Sequence, residues 1–168
     1  MKFKKIEIAR QTNFILALLL IHFLFFGYLS NVFPKLEDLT GEVTSPANYA
    51  LGESILFLYQ VLFNPQSFLS AIILGLIVFL MAFRERFFEY GIRNSIWLIP
   101  FIMIESWIWY WFIIERFDIT VIGAYFLRIE SYLTILSLLG INITAAVLAA
   151  IAKQKYYAYM MRVKKVEV

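Results

Sequence analysis

All four tryptophans of this 168-residue chain fall between Trp97 and Trp111, and the same stretch holds a single acid, Glu105. The residues around Glu105 are apolar enough to form a membrane span, and an ionised carboxylate in mid-span costs about 2.5–3.5 kcal/mol on insertion scales. Glu105 must therefore face protein, water or a cofactor, or hold a proton. It is a candidate catalytic residue as a proton relay, a quinone contact or an ion ligand. The alternative is a polar clamp to a neighbouring helix or subunit. Trp109 lies four residues on and shares its helical face, while Trp107 and Trp111 share another. Trp97 and Trp111 suit interfacial anchors. Trp107 and Trp109 sit deeper and are candidates for lining a flat-ring cofactor site, against the alternative of plain packing on lipid or protein. The lone histidine, His22, stands among Leu and Phe. It could be an axial ligand or proton carrier, or a neutral residue bonded to a neighbouring helix. Arg128 and Glu130 precede a second apolar run, where an anionic substrate from outside would meet Arg128, with Arg116 in support. The alternative for these two is an interfacial pair that snorkels to water.

The elements that must position these residues are membrane helices. The chain is 62% hydrophobic, 18% aromatic and only 16% charged, with a mean hydropathy of +0.77. Soluble domains run near 45–50% apolar and about 25% charged, so a soluble enzyme, a disordered chain and a secreted scaffold are all excluded. Zero cysteines removes disulfides, thiolate metal sites and a cysteine nucleophile. No spacing suggests a metal site, a phosphate-binding loop or a hydrolase triad. Charges mark four spans of about the length a bilayer requires: residues 13–33, 66–83, 94–114 and 131–152. Residues 54–63, cut off by Asn64-Pro65, read as a short interfacial or re-entrant helix. The basic start followed by a long apolar run reads as a span rather than a cleaved leader. The expected fold is all-α: a single polytopic domain of four transmembrane helices.

Lysine and arginine counts set the expected orientation. The amino-terminal segment, the turn holding Arg84, Arg86 and Arg93, and the tail 153–168 together carry twelve, against three in the two remaining loops. This asymmetry places both termini in the cytoplasm of a plasma-membrane protein. The basic ends face anionic lipid, so nucleic acid is not required as a partner. The Arg84-Glu85-Arg86 cluster with Glu89 and Arg93 reads as a cap that fixes topology. Asn142-Ile143-Thr144 matches a glycosylation sequon but lies inside the fourth span, where Asn142 and Thr144 are expected to bond across helices. The tail, with Tyr156, Tyr157 and Tyr159, is expected to continue the fourth helix.

With these residues in place, the chain resembles the DoxD/DoxX group of small four-span proteins, which includes the hydrophobic subunit of archaeal thiosulfate:quinone oxidoreductase. The resemblance runs through Phe33-Pro34-Lys35-Leu36, Ser45-Pro46-Ala47-Asn48-Tyr49, Val61-Leu62-Phe63-Asn64-Pro65, Leu74-Gly75-Leu76 ending at Arg84-Glu85-Arg86, and Arg128-Ile129-Glu130-Ser131-Tyr132. It covers about two thirds of the chain. The family's acid in span two is Ala71 here, its cysteine ahead of the last span has no counterpart, and the tryptophan after its acid is replaced by Ser131-Tyr132. The resemblance implies a respiratory subunit that passes electrons from thiosulfate, oxidised to tetrathionate outside, to quinone. No redox centre is evident in this chain, so a partner subunit or bound cofactor would supply one. The expected function is thus an integral subunit of a quinone-linked oxidoreductase complex, with lipid and other membrane subunits as partners. The alternatives are a purely structural or assembly subunit, and a small transporter or channel with Glu105 as its polar midpoint.

Overall fold

A computed structural model describes residues 3–31 and 47–166, with side chains placed for 11–31, 51–65, 67–162. The described residues are helical, with no strand among them. The end of the first expected span, the motif Phe33-Pro34-Lys35-Leu36, Ser45-Pro46 and the last two residues of the tail lie outside the described residues.

The first rod consists of α1 (Phe3–Leu20), a π-helical segment (Ile21–Phe26) and α2 (Gly27–Asn31). The π segment widens the helix by about one residue per turn. It brings Ile21, Phe25 and Phe26 into the core together and leaves His22 at the edge facing another helix. Then follow α3 (Ala47–Leu56), α4 (Tyr59–Phe63), a 3₁₀ turn (Pro65–Ser67), α5 (Phe68–Arg84), α6 (Phe88–Ile114), α7 (Thr120–Leu127) and α8 (Ile129–Val166).

Among the described residues, three helices are long and apolar enough to cross a membrane: Gln11–Asn31, Phe88–Ile114 and Ile129–Arg162. The helix α5 is apolar but has 17 residues, at the short limit for a span. Exposed Leu, Ile and Phe side chains cover the outside of α1, α5, α6 and α8, as lipid contact demands and water would oppose.

Several elements differ from the sequence expectation. The segment 54–63 is two helices, beginning at Ala47 and broken at Phe57–Leu58. Of the two expected forms, interfacial or re-entrant, the interfacial one buries a single face, whereas Ile55, Phe57, Leu58 and Val61 are all inaccessible, so this element is enclosed by protein. Close approach explains part of its position: a Cβ at Gly52 would stand 3.2 Å from Ile114 of α6. The second expected span begins at Phe68 instead of 66, because Pro65–Ser67 forms the 3₁₀ turn. There Ser67 Oγ donates to the Val61 carbonyl at 2.6 Å, satisfying a carbonyl that the end of α4 leaves open. The third span starts at Phe88, about one and two-thirds turns before 94, and Gly91 lets α6 pack directly on Ala82 of α5. The fourth starts at Ile129 rather than 131 and, as expected, continues through the tail as one helix of 38 residues, about 57 Å long, so it must project well beyond a 30 Å hydrocarbon core. Between the third and fourth spans, Thr120–Leu127 forms the further helix α7.

Candidate functional site: a His–Glu pair in mid-span

Two helices bring the site together. His22 lies at the centre of the Gln11–Asn31 span. Glu105 lies about 14 Å along α6 from its far end at Ile114. His22 Nδ1 and Glu105 Oε2 are 2.8 Å apart, a distance that fits one proton shared between ring nitrogen and carboxylate. With the proton on Nδ1 the ring donates to Glu105 and its Nε2 keeps a lone pair; with the proton on Glu105 the carboxyl donates to Nδ1 and the ring N–H stands at Nε2. Binding one imidazole nitrogen to a carboxylate fixes the orientation of the ring.

The pair is not sealed inside the protein. Its side chains are 37% and 23% exposed at a depth where lipid offers no hydrogen bond. Trp109 completes the wall. Its ring lies 5.4 Å from that of His22 and stacks on Phe26 at 6.1 Å. The buried indole nitrogen of Trp109 has no acceptor among the described residues. Trp107 is elsewhere: it packs edge-on against Tyr125 at 5.7 Å and Phe126 at 6.1 Å, in the layer formed by α7. The structure thus joins three of the sequence candidates, His22, Glu105 and Trp109, and separates Trp107 from them. Their proximity depends on the π segment and on the register of α1 against α6, neither of which leaves a sequence signal.

Arg128 and Glu130 form a second cluster at the far end. Arg128 donates to Glu53 at 3.0 Å and Glu130 at 3.4 Å, and its guanidinium lies 4.4 Å over the Phe57 ring. The bond to Glu53 holds its pKa above the usual arginine range. Both terminal nitrogens are thus engaged by carboxylates, and an incoming anion would have to displace one of them. Arg116 is not among Arg128's partners; it lines an apolar groove with Trp111 and Phe117 instead. The turn before α7 is closed by Trp111 Nε1 donating to the Asp118 carbonyl at 3.1 Å. Thr120 donates to the Asp118 carboxylate through its hydroxyl at 2.6 Å and its backbone N–H at 2.9 Å, and these bonds hold Asp118 below the usual carboxylate range. Burial pushes the Tyr125 hydroxyl up to about 12, with Thr134 beside it acting in the opposite direction.

A third polar centre was not legible in the sequence. Glu85, flanked by two arginines, looks like a solvated cap. Its side chain instead turns inward and the residue is 5% exposed. Asn94 Nδ2 donates to it at 3.3 Å, Asn13 Nδ2 sits at 3.5 Å in a weaker contact, and Lys153 Nζ donates to its backbone carbonyl. The residue therefore joins α1, α6 and α8 at the basic end. Asn142 donates from Nδ2 to the Ser95 carbonyl at 2.9 Å, the expected bond across helices. Thr144 has an exposed position on the groove between α5 and α8.

Among the described residues, no group of three or more His, Cys, Asp or Glu side chains is placed to hold a metal ion. Compared with family models, curated proteins and solved structures, the chain matches none of them.

Proposed function

We propose that this chain is a four-span plasma-membrane subunit, with both termini in the cytoplasm, of a quinone-linked oxidoreductase complex, and that His22 and Glu105 exchange a proton with the quinone. The topology rests on twelve basic residues against three in alternating segments, with the 17-residue α5 as the fourth span. The 2.8 Å pair in mid-span, still open toward lipid, is the observation that carries the functional reading. A purely structural clamp gains nothing from exposure in hydrocarbon, where each unmet polar group is costly. A quinone oxygen offers what the pair lacks: an acceptor when oxidised and a hydroxyl donor when reduced.

Reduction of a quinone takes two electrons and two protons. The pair delivers one proton to one oxygen, and the partner subunit that delivers the electrons supplies the second proton to the other oxygen. The electrons come from the redox group, haem or flavin, of a partner subunit. In the thiosulfate-linked version that the family resemblance implies, coupling of two thiosulfate ions to tetrathionate releases those two electrons. The test is turnover with a soluble quinone in the complex purified from its native membrane in mild detergent. Glu105→Gln keeps a hydrogen-bonding group of the same size but removes the base. Turnover is expected to fall at least about tenfold in a complex of unchanged composition. Unchanged turnover would end the reading. Loss of the subunit from the complex would favour the structural role instead.

A further inference from the structure

We infer that the pocket where the basic ends of α5, α6 and α8 converge is a binding site for the phosphate headgroup of an anionic phospholipid. It is separate from the His22–Glu105 pair and does not depend on the reading above. Its depth follows from the sequence. Residues 131–152 carry no charge and span about 33 Å of helix, so Lys153 leaves the roughly 30 Å hydrocarbon core at headgroup level. The turn after α5 lies at the same level, because Lys153 Nζ donates to the Glu85 carbonyl. On α8, Ala146, Ala150, Lys153, Gln154 and Tyr157 stand three or four residues apart along one helical face. That face changes from small and apolar to hydrogen-bond donors as it emerges from the core.

The same face lines a cavity of about 190 Å³. Its floor is small: Ala146 and Ala150 lie beside Ala82 of α5 and Gly91 of α6, and a Cβ at Gly91 would stand 3.3 Å from that of Ala82. Its rim carries Arg86, Lys153, Gln154 and Tyr157. Lys153 gives one N–H to the Glu85 carbonyl and keeps two. Arg86 is exposed, its guanidinium 5.7 Å over the Phe87 ring. Neither cation forms an ion pair among the described residues. The acid that lines the pocket, Glu85, has its carboxylate engaged by Asn94 and Asn13, neither of which lines it. Phe88 opens α6 at the same pocket, and no side chain caps that helix end, so its free backbone N–H groups add to the positive field. Two cations without a counterion above an apolar floor select an anion joined to carbon. Guanidinium and ammonium take the phosphate oxygens, and the alanines take the glycerol. The volume is below the about 300–1,000 Å³ of a drug-sized ligand, as a headgroup requires. Basic pockets between membrane helices bind such headgroups.

The test is native mass spectrometry of the full-length chain, delipidated in mild detergent and titrated with phosphatidylglycerol. One saturable lipid is expected, bound at least about tenfold more tightly than phosphatidylcholine, whose ammonium would be brought against two cations. Arg86→Gln with Lys153→Gln should weaken it at least about tenfold, and Arg86→Gln alone about fivefold. Lys155→Gln removes the same charge from an exposed position of α8 outside the pocket and should leave the affinity unchanged. Equal loss in Lys155→Gln, or equal binding of phosphatidylcholine, reduces the effect to diffuse charge and overturns the site. Inorganic phosphate should compete only in large excess; competition mole for mole makes this a site for free phosphate and overturns the lipid assignment. Lys153 also tethers α8 to the turn after α5, so the double variant can lose its helix content. In that case Arg86→Gln decides alone, since Arg86 makes no hydrogen bond to the described residues, and an unchanged affinity there overturns the site.

Discussion

The pair His22–Glu105 and the cluster Arg128–Glu53–Glu130 are built from the same materials, a nitrogen base and carboxylates at 2.8 Å and 3.0 Å. Their surroundings make them different objects. At the far end, side chains 45% and 56% exposed meet water, so Coulomb attraction is screened and ordering two long side chains offsets most of the gain. In mid-span the same partial exposure meets hydrocarbon, where a lost partner cannot be replaced by solvent. Contact distance alone therefore ranks the two sites as equals, and depth separates them. Glu85 stands between these extremes: it is 5% exposed at the basic end of the helices, within reach of water yet enclosed by carboxamides from α1 and α6.

The largest expected effect breaks the mid-span pair. His22→Leu strands Glu105 and should cost about 2.5–3.5 kcal/mol, the penalty of an unpaired acid at that depth. His22→Leu with Glu105→Leu removes both members and should recover most of that loss. Unfolding free energies in detergent or bicelles of the parent, of His22→Leu and Glu105→Leu singly and of the double variant measure the coupling. A coupling no larger than that of a surface pair would erase the distinction drawn here. Glu85→Ala should cost about 1–3 kcal/mol, because it removes the acceptor of Asn94 and loosens Asn13. The same measurement reads it, and a neutral result would place Glu85 with the solvated cluster. Arg128→Ala should be the mildest. Its melting temperature should stay within about 2 °C of the parent, and what difference there is should shrink as salt is raised. A large, salt-insensitive loss at Arg128 would show that the far end is screened from water after all.

The sites differ in how visible they are in the sequence. Glu105 stands out because one acid interrupts an apolar run, and His22 because no other histidine exists. Each was legible as a residue that needs a partner, and Trp109 as the aromatic on the same face. Their pairing was not legible, since it joins residues 83 positions apart through a π segment that no local signal announces. Glu85 was misleading for a related reason. Its neighbours Arg84 and Arg86 make the tripeptide look solvated, while the turn's geometry points the central side chain inward. The segment 54–63 follows the same logic: its brevity and the Asn64-Pro65 break suggest an interfacial or re-entrant piece, and which residues it buries is decided by the helices that close over it.

The sequence by itself determined that this is a helical membrane protein, because hydrophobicity and charge spacing act locally and additively along the chain. It also determined which polar residues would be costly at their depth. Only the tertiary structure decided which of those residues meet, which stay open to lipid, and which carboxylate turns inward. Those outcomes depend on helix register, winding and close approach, set by side-chain packing among distant segments rather than by any local run of residues.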